Sequence, residues 1–470
     1  MKKTKIVATI GPASKDDETL REMILNGMDI ARINMKYADH SFAKKMIEKI
    51  NKLNSELNKN VAIMIDLQGS DVTVGNFAGG TAYFTKGTKI RIYNDQILGD
   101  STKFSVNVDN FVKKIKVNTT IKLADGIIEL FVIDKEEDYL LCEVKIGGFI
   151  EDGKGLNVKN VDLGLPFLTK KDIEDIKFAN KMNVDYLALS FVKSSEDVMQ
   201  INDLLIELKN DHIAILSKIE TEEAIEELEA IVDSSDGVIV ARGDLGAEIP
   251  MERVPGVQKQ VIQKCHRMGK VSMVATEMMV SMENNVRPTR AEVSDVANAV
   301  LDGVDGVILS GETTVGKYPT ITVDTMSKII ESSELDINYY EFLDKTMRSE
   351  KQDISGNISY STVECANRLK CKFIVVPTMT GYTAKKISRF RPMCPIIALS
   401  PDKDTVKELN MYYGIIPIQI GEIKTFDKMM KLVKEVTIHL GAEKGQKVII
   451  TGGYPFHEVK HTNFMKIEEL

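Results

Sequence analysis

The chain has 470 residues, which at about 150 per domain predicts roughly three domains. Hydrophobic residues at 43% and charged residues at 28% exclude disordered and fibrous classes. With 61 basic and 69 acidic side chains the net charge is −8, so no nucleic acid is expected as a partner, while a phosphorylated small molecule needs only local positive charge.

From the N-terminus, short apolar runs alternate with helical patterns. The first run, 5–10 (KIVATI), is too short for a signal segment and is stopped by Gly11-Pro12; no stretch approaches 18 apolar residues, so no membrane contact is expected. Further runs lie at 28–34, 61–67, 184–191, 213–219, 237–244, 270–278 and 306–312, with helical patterns such as 195–210 and 221–235 between them. Near-continuous apolar strands separated by helices predict a parallel sheet covered on both faces. Eight such units are the number that closes a (β/α)8 TIM barrel, the alternative being an open doubly wound sheet.

Between the third and fourth runs the pattern becomes alternating polar and apolar (KIRIY, FSVNV, TIKLA, IIELFVI, YLLCEVKI), punctuated by Gly and Asp. This predicts a small antiparallel β domain, inserted in a loop on the C-terminal face of the barrel, where it can act as a lid. After about 338 a second α/β unit begins, with strands at 373–377, 395–400, 414–420 and 447–453. The predicted division is therefore 1–69 with 165–337 as a discontinuous barrel, 70–164 as the β lid, and 338–470 as a C-terminal α/β domain. Five scattered cysteines (Cys142, Cys265, Cys365, Cys371, Cys394) without a CxxC pair read as reduced thiols in the cytoplasm.

Polar residues cluster at the C-terminal ends of the barrel runs: Arg32 and Asn34, Asp66, Ser190, Lys218 and Glu220, Arg242 and Asp244, Thr276, Ser310 and Glu312. Several are pairs at i and i+2, which share one face of a strand. If the barrel closes, all converge on one mouth. Glu220 and Asp244 offer hard oxygen ligands for Mg2+ or Mn2+, and the absence of His there argues against a zinc hydrolase. Arg32, Lys218 and Arg242 supply positive charge for a phosphoryl group, Gly243 permits close approach of an anion, and Thr276 and Ser310 are neutral hydroxyls. Such a set suits phosphoryl transfer.

The segments KIVATIGPAS, ARIN, SKIET, VIVARGDLGAEIP, RPTRAEVSDVANAVLDG and ILSGETTVGKYP closely resemble pyruvate kinase motifs, and the similarity continues through FIVVPTMTGYTAKKISRFRP to the closing TGGYP and HTN. The resemblance implies a TIM barrel, an inserted small β-barrel domain and a C-terminal α/β domain, a homotetramer, and the substrates phosphoenolpyruvate and ADP with pyruvate and ATP as products. It implies that Lys218 stabilises the phosphoryl group in flight, Arg32 grips it, and Glu220 and Asp244 hold Mg2+. Gly243, Asp244 and Thr276 would seat the substrate carboxylate, Thr276 and Ser310 lie where an enolate is protonated, and Lys154 contacts the nucleotide. The loop Thr378, Thr380, Gly381, Thr383 matches the family's sugar-phosphate effector loop, although an ordinary strand–helix turn has the same residues.

One region departs from the pattern. Asn34-Met35-Lys36-Tyr37 replaces the family's Asn-Phe-Ser-His, and Asp66-Leu67-Gln68-Gly69-Ser70-Asp71-Val72-Thr73 replaces Asp-Thr-Lys-Gly-Pro-Glu-Ile-Arg. Two K+ ligands thus become Lys36 and Leu67, leaving Asn34 and Asp66 as a remnant site that is not expected to hold K+; Lys36 is a candidate tethered cation lying between Asp66 and the substrate phosphate. A nucleotide-side arginine becomes Thr73, the lid's Asp-Asp-Gly becomes Ala124-Asp125-Gly126, and Glu277 replaces Gln. Two other readings stay open: a non-catalytic relative that binds a phospho-ligand as sensor or subunit, and a barrel lyase or decarboxylase acting on a 2-oxo acid. The near P-loop Gly311 to Lys317 ends in Tyr318-Pro319 and is set aside.

Overall fold

The computed structural model describes residues 1–124, 126–158, 161, 163–210, 212–349, 353–423, 425–455 and 461–470. Eight strands, β1 (Lys5–Thr9), β2 (Ile30–Asn34), β3 (Ala62–Asp66), β4 (Tyr186–Leu189), β5 (Ala214–Ile219), β6 (Gly237–Ala241), β7 (Val271–Ala275) and β8 (Gly306–Leu309), close into a parallel barrel. β1 pairs with both β2 and β8, which completes the ring. Alternation along each strand splits the apolar residues into two layers. Ile6 and Ala8 pack outward under the helices, whereas Val7, Ile30, Met64 and Tyr186 fill the lumen.

The lumen core runs on into the C-terminal sheet, whose strands are β9 (Phe373–Pro377), β10 (Ile396–Ser400), β11 (Ile415–Gln419), β12 (Lys447–Gly452) and β13 (Phe464–Glu469), ordered β11-β10-β9-β12-β13. β13, antiparallel to β12, has a mixed polar pattern and was not among the predicted strands. A buried ion pair fastens this sheet to the barrel: Arg391 reaches Asp305 at 2.8 Å and the Gly303 carbonyl at 2.8 Å. Asp305 also accepts from the Ser272 amide, so it belongs to the barrel's own network. Arg391→Met is expected to destabilise the protein by about 3–5 kcal/mol, because it strands a buried carboxylate. Urea unfolding checks this, and a loss below about 1 kcal/mol would show that the pair is dispensable.

Between β3 and β4 the chain forms a six-stranded sheet and a two-stranded ribbon around one apolar core. Among the described residues these strands pair antiparallel except where Lys89–Tyr93 meets Lys103–Ser105 in parallel, and a single parallel bridge joins Phe77 to Gly99. The six-stranded sheet does not close on itself; single bridges such as Thr73 to Gly155 join its margins. Among the described residues the unit's one helix, Phe111–Lys114, is a single turn.

Two local departures from the expected elements matter. The helix expected over 221–235 is two, Glu222–Glu226 and Leu228–Ser234, with like charges four residues apart at Glu222/Glu226 and Glu223/Glu227. The sixth strand stops at Ala241, and Arg242–Glu248 is a helix. Arg242 and Asp244 therefore do not share a strand face. Two residues along a helix turn a side chain by about 200°, so the two must point apart.

Candidate active site

Strand ends on the C-terminal face position the core of the site. Lys218, on β5, lies 3.3 Å from Asp66 Oδ1 and 3.1 Å from Glu220 Oε1. Arg32, on β2, donates to Asp66 Oδ2 at 2.6 Å, to Thr9 Oγ1 at 2.8 Å and to Ser310 Oγ at 3.4 Å, tying the ends of four strands together. Glu220 Oε2 accepts from the Phe191 amide at 2.6 Å. Phe191 makes that contact with its backbone in the left-handed region, φ 55°.

Charge at this cluster is uneven. Burial opposes ionisation of Asp66, but Arg32 and Lys218 outweigh it and hold the carboxyl below its usual range. Burial likewise works against the Lys218 ammonium, and Asp66 and Glu220 outweigh it, so Lys218 stays charged. At Glu220 burial wins, helped by repulsion from Asp244, and the carboxyl is pushed up to about 7 despite Lys218. Glu220 Oε1 and Asp66 Oδ1 are buried and accept no hydrogen bond. Their shared charged neighbour is the Lys218 ammonium, and with Asp244 close by these acidic oxygens fit a divalent cation. Among the described residues no group of three or more His, Cys, Asp or Glu forms a full metal cage. A two-carboxylate site of this kind depends on substrate or water oxygens for the rest of the ion's shell.

Arg32, Asn34, Lys36, Asp66, Lys218, Glu220 and Asp244 line one cleft, joined from the lid by Asp71, Gly153, Lys154 and Gly155. Thr276, Gly243 and Ser310 stand behind this front row. The Gly243 amide donates to Thr276 Oγ1 at 2.8 Å, and Ser310 is reached through Arg32. A Cβ on Gly243 would meet Thr276 at 3.6 Å, an ordinary contact, so the structure itself does not demand glycine there.

Arg242 is a correction. Its guanidinium faces away from the cleft, donating to the Thr276 carbonyl and pairing with Asp295 at 2.7 Å, so it offers no charge to a phosphoryl group. Glu312 is likewise turned to backbone, accepting from the Ser310 and Met279 amides.

The altered segment rearranges in a way the sequence did not disclose. Lys36 pairs with Asp71 of the lid, not with Asp66, which corrects the expected placement. Asn34 Oδ1 is taken by the Lys36 amide at 3.0 Å. Leu67 touches the cleft but is buried in the apolar layer under the helices. Gln68 lines the cleft, whereas the Thr73 backbone is tied to Asn107 and to Gly155. Ala124 is buried at φ 50°, and Asp125 lies outside the described residues. Lys154 faces the cleft, 3.3 Å from Glu151. Asp71 was missed as a site residue; its signal was that it keeps an acid where the family has Glu while its neighbours change.

Far from the cleft, Thr378 Oγ1 accepts from the Gly381 amide and Thr383 Oγ1 pairs with Thr462, while Thr380 is exposed. Gly311 and Gly316 are packing glycines: an added Cβ would lie 1.8 Å from Glu283 Oε1 and 2.3 Å from the Glu312 carbonyl. That fits the rejection of a phosphate loop.

Comparison with known proteins accords with this geometry. The family described as pyruvate kinase, barrel domain, matches residues 1–323, and pyruvate kinase, alpha/beta domain, matches 356–468. The chain belongs to the pyruvate kinase family. It is 38% identical over 470 residues to the pyruvate kinase of Clostridium acetobutylicum, covering 100% of this chain and 99% of that one. Against the pyruvate kinase of Clostridium perfringens it is 39% identical over 477 residues, with 100% of both chains covered. The pyruvate kinase of Staphylococcus aureus strain MRSA252 is 39% identical over 99% of this chain and 80% of its own. Membership of the pyruvate kinase family implies a divalent metal, in keeping with the acidic oxygens that Glu220 and Asp244 bring to one cleft. Among the described residues no helix is long and apolar enough to cross a membrane.

Proposed function

We propose that the protein moves the phosphoryl group of phosphoenolpyruvate to a terminal phosphate oxygen of ADP, giving ATP and an enolate that is protonated to pyruvate. The observation that carries this reading is Lys218, held charged between Asp66 and Glu220 at the mouth of the barrel. An ammonium fixed there meets the charge that builds on a phosphoryl group between donor and acceptor. Arg32, already oriented by Asp66 and Thr9, is placed to grip the same group. Thr276, Gly243 and Asp244 would seat the carboxylate, and Thr276 and Ser310 the proton step. Lys154 comes from the lid as a nucleotide contact.

Glu220 and Asp244 would hold Mg2+ or Mn2+, which supplies charge neutralisation of the phosphates when bound. The lid is already seated on the helix bearing Asp244: Lys122 donates to the Ala247 carbonyl at 2.7 Å and Asn157 to Glu248 at 3.0 Å. That supports treating 70–164 as a closing unit between the barrel segments 1–69 and 165–337, with 338–470 as a separate unit. The loop of Thr378, Thr380, Gly381 and Thr383 is proposed as the effector site for a sugar phosphate or nucleotide; its cradle would rest on Thr380 and reoriented Thr378. The homotetramer and the cytoplasm are carried over from the family, and free cysteines suit the second.

We also propose that K+ is not required. Asn34 is engaged, Leu67 is packed away, and the Lys36 ammonium stands over the cleft on Asp71. An ammonium fixed at the cleft, with Asp71 as its counter-charge, is proposed to take the place of a bound ion. Turnover is expected to be equal within about twofold in potassium, sodium and tetramethylammonium buffers of matched ionic strength. Lys36→Ser is expected to lose activity that K+ restores poorly. A strong K+ requirement in the unaltered protein overturns this.

The function itself is tested by coupled assay of ADP-dependent pyruvate formation, with oxaloacetate decarboxylation in parallel. Pyruvate formation supports the kinase. Decarboxylation alone identifies the lyase, and binding of phosphoenolpyruvate without either reaction identifies the sensor.

A further inference from the structure

Thr276 and Glu277 both have left-handed backbone, at φ 69° and 53°. For a β-branched residue this is a genuine outlier, and two in succession persist only when the surroundings hold them. Neither is glycine, and the Glu277 side chain is exposed, so the restraint must act through Thr276.

That restraint comes from the start of one helix. Arg242 places a fork on the Thr276 carbonyl, Nε at 3.2 Å and Nη2 at 2.6 Å. The next residue, Gly243, donates its amide to the Thr276 hydroxyl at 2.8 Å. Thr276 is thus held at two points by consecutive residues, and the residue after them is Asp244. The guanidinium is fixed in turn by Asp295, at 2.7 Å, and lies within 3.1 Å of Met278 Sδ. Its charge is met by Asp295, so what it adds toward Thr276 is direction.

We propose that Arg242 is a positioning residue for phosphoryl transfer: its fork on the Thr276 carbonyl keeps residues 276–277 in left-handed geometry and so fixes the Thr276 hydroxyl beside Gly243 and Asp244. This rests on the kinase reading only for the reaction it names. Lysine cannot reproduce the fork, because an ammonium is a single point donor. Arg242→Lys and Arg242→Met are therefore expected to behave alike. Each lowers kcat by about 10²-fold, the scale of a misplacement near 1 Å, and weakens phosphoenolpyruvate binding several-fold, with KM for ADP unchanged.

A backbone test separates positioning from charge or general damage. Glycine adopts left-handed geometry without strain, so Glu277→Gly removes part of what Arg242 must hold. In the otherwise unaltered protein Glu277→Gly is expected to change kcat less than threefold. In the Arg242→Met background it is expected to recover at least fivefold in kcat and to restore phosphoenolpyruvate affinity, measured by calorimetry with Mg2+ present. Thermal melting confirms that each variant is folded at the assay temperature. The inference is overturned if Arg242→Lys keeps turnover within threefold, or if Glu277→Gly has the same effect in both backgrounds. If the unaltered protein does not transfer phosphate, the affinities still decide. Weakening by Arg242→Met and recovery by Glu277→Gly would then uphold the positioning role and sink only the kinase reading.

Discussion

Replacing Lys218 with Met is expected to lower kcat by about 10²–10³-fold at saturating Mg2+, while the fold and phosphoenolpyruvate binding persist. The ammonium lies 3.1 Å from Glu220 and 3.3 Å from Asp66, so its charge is fixed before substrate arrives. In the proposed mechanism binding to a ground-state phosphate is shared with Arg32, whereas charge in transit depends on Lys218, so kcat is expected to fall more than affinity. Asp66 keeps its Arg32 partner in the variant, which limits the structural cost. Steady-state kinetics with a melting curve check this. Turnover within a few-fold of the unaltered protein would remove Lys218 from the reaction.

Removing divalent metal is expected to abolish turnover. Glu220→Gln is expected to raise the Mg2+ concentration needed for half-maximal rate by tenfold or more. The carboxylate is one of the two proposed acidic ligands, and an amide oxygen is a weaker partner for a hard cation. The sign of the pH dependence follows from burial. With the Glu220 carboxyl pushed up to about 7, it is protonated below that pH, and metal must displace the proton. Affinity for Mg2+ therefore rises with pH, by about tenfold between pH 6 and pH 8, and flattens above it. In Glu220→Gln this slope should vanish. Full activity in chelator, or an unchanged slope in the variant, would exclude Glu220 as a ligand.

The barrel, the insertion and the candidate groups for the proposed reaction were legible in the sequence. Eight apolar runs separated by helical patterns call for strands buried on both faces, with helices covering the outer face and, once the barrel closes, lumen side chains covering the inner one. Lys218 and Glu220, two apart on β5, share a face by strand periodicity alone, and the structure brings both to one cleft.

The tertiary structure decided where the remaining charges point. Arg242 and Asp244 look like the same kind of pair, yet the chain turns helical after Ala241, so Arg242 faces Thr276 and only Asp244 faces the cleft. Lys36 and Asp71 are separated by 34 intervening residues and meet only because the lid begins beside the β2 loop. The left-handed backbone at Phe191 and Thr276 was equally illegible, since neither residue favours it and both are engaged by hydrogen bonds from residues far along the chain. Local periodicity fixes which face a strand or helix residue occupies. Ion pairs and strained turns depend on contacts far apart in the chain, and no local pattern encodes them.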